Sequence, residues 1–137
     1  MVNLVLGGHS IKPFLGEKFM KKVVPILIAA VFFLIPVLAF AEGPMHLPKG
    51  ANADANKHNE EGIKHYGMGH FDVALEHFEA AAKADASTGE VHFNEAISLD
   101  KLGKHGDATK HFGKAKNNAH GNKAILESKI LNSHLGM

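Results

Sequence analysis

The chain has 137 residues, room for one small domain, and its 15 basic and 14 acidic residues leave a formal charge of +1. From Glu42 onward 11 lysines stand against 13 carboxylates with no arginine, which gives neither an electrostatic footprint for nucleic acid nor a bidentate phosphate clamp. The absence of cysteine excludes disulfides, thiolate metal sites and a cysteine nucleophile, and leaves eleven histidines to be accounted for.

Residues 1–19 show no clear periodicity and read as an upstream extension. Residues 20–41 carry a basic pair at Lys21-Lys22, an apolar run from Val23 and the small-x-small site Ala39-Phe40-Ala41. Those are the parts of a secretory signal peptide. Translation is expected to start at Met20 and the mature chain at Glu42, in the periplasm or secreted. The alternative is an uncleaved N-terminal anchor, with the domain still outside the cytoplasm.

Residues 42–54, with Gly43, Pro44, Pro48 and Gly50, read as a linker. Residues 55–137 form the His-rich helical-repeat domain. Asp54 is the expected cap of a first helix from about Ala55 to Gly67. The Phe71, Ala74, Leu75, Phe78, Ala81 stripe predicts a second, from Phe71 to Ala84. Ser87 and Glu90 have capping-box spacing for a third, which buries Val91, Ile97 and Leu102 and stops at Gly103. A fourth runs from about Gly106 to Asn117. Asn122 is the expected cap of a fifth, with Ile125, Leu126, Ile130 and Leu131 on one face. No stretch alternates with period two long enough to make a strand.

A shift of 34 residues superposes one part of the chain on another. His58 falls on His92, Glu61 on Glu95, Gly69 on Gly103, His77 on His111 and Phe78 on Phe112. A period of this length marks stacked helix pairs. The fold expected is therefore all-α: antiparallel helical hairpins, two 34-residue repeats plus a C-terminal helix, as a four-helix bundle or a tetratricopeptide-like stack. Packing explains the small and apolar repeated positions but not the histidines.

Spacing shows what those histidines can chelate. His58 and His65, like His70 and His77, are seven apart and so about 10 Å apart along a helix, too far for one ion. His58 with Glu61, Glu61 with His65, His92 with Glu95, and Asp107 with His111 are three or four apart and share a helix face. An antiparallel partner helix can add a third ligand. Imidazole with carboxylate suits Cu(II), Ni(II) or Zn(II), with Cu(II) first in affinity. The candidate metal ligands are His58, Glu61, His65, His70, His77, His92, Glu95, His105 and His111. The first copy has more of them, since Leu99 and Lys104 stand where it has His65 and His70, with His105 one place late, so the first hairpin is the expected main site and the second the weaker one. His120 and His134 read as incidental, and His46 as a loose contact.

Two families resemble this pattern. Gly62, Gly69, Phe71, Ala74, Phe78 and Ala81, and in the second copy Ala96, Leu99, Gly103, Ala108, Phe112 and Ala115, resemble the small and aromatic positions of the tetratricopeptide repeat. His58 and His92 stand where that repeat prefers Trp, Ala86 and His120 where it prefers Pro, and Ile63 and Ile97 where peptide-clamping members carry Asn. The segments Gly62-Ile63-Lys64-His65, Ala74-Leu75-Glu76-His77 and Gly106-Asp107-Ala108-Thr109-Lys110-His111 are similar to the small metal-binding protein family. Those are secreted, His-rich helical bundles whose histidines bind divalent metal, copper above all. The resemblance implies metal buffering, storage or delivery. The tetratricopeptide resemblance implies instead an adaptor that holds a partner protein, with no metal role. No enzyme is expected: Ser87 and Ser98 lack a nucleophile context, and the H-E-x-x-H zinc-hydrolase pattern is absent.

Overall fold

A computed structural model of the chain describes residues 42–137. The expected extension at 1–19 and signal segment at 20–41 lie outside the described residues. Six helices follow in order: α1 Ala53–Gly67, α2 Phe71–Ala84, α3 Gly89–Lys101, α4 His105–Asn117, α5 Lys123–Leu126 and α6 Lys129–Leu135. Among the described residues there is no strand, so the domain is all-α.

The turn chemistry repeats with the sequence. Gly69 and Gly103 each take positive φ, +81° and +74°, at the end of α1 and α3. The next residue's N–H then reaches back five places, His70 to the His65 carbonyl at 3.0 Å and Lys104 to the Leu99 carbonyl at 2.9 Å. This closure satisfies carbonyls left over at a helix end. It folds α2 back on α1 and α4 back on α3. The two hairpins then join through α2 and α3, while α6 packs on α4. Helices α1 and α4 do not pack along one another, so the hairpins form an open stack and not a closed four-helix bundle.

Phe78, Phe93 and Phe112 are fully buried and dominate the core with Leu75, Ile97, Ile125 and Leu131. Each fully buried large apolar side chain contributes roughly 1.5–3 kcal/mol. Leu102, expected to be buried, is only half-buried and packs at the edge of this cluster. Gly62 is buried for a different reason than turn geometry: a methyl there would lie 2.5 Å from the Phe78 ring. The missing side chain is what lets α1 close on α2.

Several caps differ from expectation. Asn52, not Asp54, caps α1, accepting from the Asp54 and Ala55 N–H groups at 2.9 and 3.1 Å. Ser87 and Glu90 form no capping box: the Ser87 hydroxyl donates to Asp85 at 2.6 Å, and Glu90 accepts from Asn122 at 2.6 Å. Asn122 does cap α5, but the single fifth helix divides. Ser128 restarts the chain as α6 by accepting from the Leu131 N–H at 3.1 Å.

Residues 42–48 form no helix, as their Pro and Gly content suggests, but they are fastened to the helices. The Met45 N–H donates to Asn94 Oδ1 at 2.7 Å, and its carbonyl accepts from Asn94 and Asn59 at 2.7 and 3.0 Å. Leu47 is buried beside Ala55, Ala81 and Val91. With α2 and α4 packed on it and this strap lying across, α3 is buried on every side from Gly89 to Leu99. His92, Glu95, Asn94 and Ser98 are therefore buried polar groups, and each needs a partner.

Candidate metal centre

In the second hairpin the requirement is met by a triad. His92 and Glu95 are three apart on α3, and His111 comes from α4. Glu95 Oε2 lies 2.8 Å from His92 Nδ1 and 2.8 Å from His111 Nδ1. The side chains of His92 and Glu95 are 7% and 5% exposed, and that of His111 is 23%.

The far nitrogen of His92 decides the chemistry. Nε2 lies 3.1 Å from the Ala86 carbonyl, which can only accept, so Nε2 carries the hydrogen. A neutral ring then turns the Nδ1 lone pair toward a carboxylate oxygen, and two lone pairs at 2.8 Å repel. With a proton on Nδ1 as well, the ring makes an ion pair with Glu95; without it, the lone pair is placed to ligate an ion shared with the carboxylate. An outer carbonyl that fixes the tautomer and turns the other nitrogen inward is the arrangement found around metal-ligating histidines. Two ligand atoms cis to one another on an ion with bonds of about 2.0 Å are themselves about 2.8–3.3 Å apart, so these separations suit an ion seated beside the shared oxygen. Burial pushes the Glu95 carboxyl up, but hydrogen bonds from His111 and His92, and the charge those rings carry when protonated, outweigh it and hold it below its ordinary value.

The first hairpin carries the same three repeat positions in a more open state. The His58 and His77 rings are 5.9 Å apart between centroids, against 6.0 Å for His92 and His111. Glu61, the counterpart of Glu95, turns instead to Lys64 at 3.7 Å and is about half exposed. The second copy has Ser98 in place of Lys64, and Ser98 spends its hydroxyl on the Asn94 carbonyl, so Glu95 has no competing ammonium. His65 stacks on His77 at 5.4 Å and lies 5.8 Å from His70. Four imidazoles thus form a row, and His65 Nδ1 is buried without a hydrogen-bond partner.

The candidate ligands that come together lie in the second hairpin, against the expectation from the larger number of histidines in the first. Of the four pairs expected from spacing, His92 with Glu95 is the one in contact; His58 with Glu61, Glu61 with His65, and Asp107 with His111 are not. Glu61 takes Lys64, and Asp107 takes Lys110 at 2.8 Å, whose hydrogen bond and charge hold the Asp107 carboxyl below its usual range. His105 is not with His111 but beside Asp100 and His134, at 2.8 Å from Asp100 Oδ1. Asp100 and His134 escaped the sequence reading because no helical spacing joins them. His46 pairs with exposed Glu60 at 2.7 Å, and His120 hydrogen-bonds the Ser87 carbonyl at 3.1 Å.

Comparison of the chain with family models, with curated proteins and with solved structures finds no match. Among the described residues no helix is long and apolar enough to cross a membrane.

Proposed function

We propose that this protein binds divalent metal, Cu(II) first, with Ni(II) and Zn(II) as alternatives, and serves in buffering, storage or delivery outside the cytoplasm without catalysis of its own. The observation that carries the reading is His92, held by Ala86 on one side and turned toward Glu95 and His111 on the other. Nitrogen and carboxylate donors in that proportion suit Cu(II), Ni(II) and Zn(II), not the all-oxygen preference of Ca(II) or Mg(II). His58, Glu61 and His77 offer a second copy of the same set, which an ion would complete by drawing Glu61 away from Lys64, with His65 and His70 alongside.

The test is Cu(II) titration of the full chain at neutral pH, by calorimetry and by competition with a chromophoric chelator. His111→Gln should weaken one class of sites by at least about 10–100-fold, the loss that even an outer-shell change brings. His120→Gln should leave binding unchanged. Uptake should fade as pH falls through about 6.5, where free imidazole gains its proton. Equal effects of the two variants would reduce the histidines to an unstructured sponge. Export is tested by mass spectrometry of the N-terminus, expected at Glu42. An adaptor role is the second reading, favoured by the way Asn94 and Asn59 grip the Met45 backbone as an extended peptide would be gripped. Failure of the wild-type chain to bind Cu(II), with a specific protein partner retained, would favour it.

A further inference from the structure

A second cluster lies where three helices meet. Asp100 lies in the last turn of α3, His105 opens α4 and His134 stands in α6. Asp100 Oδ1 is 2.8 Å from His105 Nδ1 and 3.0 Å from His134 Nε2, so one carboxylate oxygen again serves two imidazoles. One ligand atom from each residue lies within 4.8 Å of the others.

The hydrogen inventory repeats that of the buried triad with different atoms. Thr109 Oγ1 donates its only hydrogen to the His105 carbonyl at 2.9 Å. His134 Nδ1, 3.0 Å from the same oxygen, must then supply the hydrogen of that contact. In that tautomer Nε2 turns its lone pair toward the Asp100 carboxylate, where it can ligate an ion beside the shared oxygen; a proton there makes an ion pair instead. The His134 ring is held in place: it packs on Phe112 with centroids 4.8 Å apart, and its side chain is 15% exposed. His105, at 69%, is open to solvent and leaves room for water or a further donor on the ion.

We propose that Asp100, His105 and His134 form a second divalent-metal site of the Cu(II), Ni(II) and Zn(II) class, and that an ion there clasps α6 to the second hairpin. The buried triad lies within one hairpin and cannot do this. Without the ion, α6 is a seven-residue helix anchored by Leu131, the Ser128 cap and the Glu42 contacts with Ser128 and Lys129. Short terminal elements of this kind open locally at small cost. An ion bound only when α6 is docked stabilises the docked state by mass action, about 100-fold at 100 times its Kd. The site stands on its own geometry and shares with the proposed function the premise that this protein takes divalent metal.

Amide hydrogen exchange on the full chain tests it, with Zn(II) as the probe and a chelator-treated sample as the reference. Zn(II) at about 100 times its Kd should slow exchange across residues 129–135 by up to about 100-fold. His105→Gln, chosen because that side chain is exposed and can be changed without disturbing the core, should abolish the slowing and remove one equivalent of bound Zn(II). Glu95→Gln should leave the slowing in place. Slowing that survives in both His105→Gln and Asp100→Asn would overturn the proposal. So would unchanged exchange in the wild-type chain while Zn(II) still binds elsewhere, a result that leaves the proposed function standing. If the wild-type chain binds neither Zn(II) nor Cu(II), both fall.

Discussion

Replacing Gly62 with alanine sets two opposing effects against each other inside one helix. Gly62 lies within α1, where alanine gains about 0.8–1 kcal/mol of helix propensity. The new methyl would sit 2.5, 2.7 and 2.9 Å from Cε1, Cδ1 and Cζ of Phe78. Carbon atoms rest about 3.5–4.0 Å apart, so the ring would have to retreat by roughly 1 Å. Phe78 has no exposed surface and nowhere to go. Overpacking of this kind costs about 1–3 kcal/mol, so Gly62→Ala should destabilise by up to about 2 kcal/mol. Gly113, within α4, is the control: a methyl there meets nothing within 4 Å. Gly113→Ala should stabilise by about 0.5–1 kcal/mol. The propensity gain is common to both variants, so the difference between them isolates the contact with Phe78. Urea unfolding of the full chain in chelator, followed by circular dichroism, measures both. If Gly62→Ala proves as stable as Gly113→Ala, the close approach of α1 to Phe78 is wrong.

Phe112→Ala should cost about 3–5 kcal/mol in the same assay, since the ring is fully buried against Phe93 at 5.6 Å and His134 at 4.8 Å. Because the folded protein holds the Glu95 carboxyl below its unfolded value of about 4.3, its contribution is present above that pH and lost as pH falls through the lower folded value. Wild-type stability should therefore drop more steeply than that of Glu95→Gln on acidification below about 4.3, and parallel curves in chelator would contradict the assignment. Tyr66 is the one tyrosine of a chain without tryptophan, so alkaline absorbance follows a single group. Burial, aided by the Asp100 charge, pushes it up to about 12, so it favours the folded state below its ordinary value near 10 and that contribution is lost as pH rises toward 12. A midpoint near the ordinary value would show that Tyr66 is not packed as described.

The sequence alone determined that the chain makes paired helices, because a 34-residue period, glycines at equivalent turns and apolar stripes are all local signals. His92 with Glu95 was legible as a pair sharing a helix face, but His111 was paired with Asp107 by spacing, and its approach to Glu95 depends on how α3 and α4 pack. Which hairpin brings its imidazoles and carboxylate together was a tertiary decision. By count of histidines the first copy is richer, but α1 leaves Glu61 half exposed beside Lys64, while α3 is enclosed and Glu95 has only imidazoles to meet. The open stack in place of a closed bundle was likewise settled by which helices touch. Asp100 and His134 lie on different helices with no helical spacing to join them, and the docking of α6 on α4 brings them within 3.0 Å. A local signal can place a side chain on a helix face. Meeting a partner from another helix depends on how the helices pack, and burial then removes the water that would otherwise have satisfied both groups.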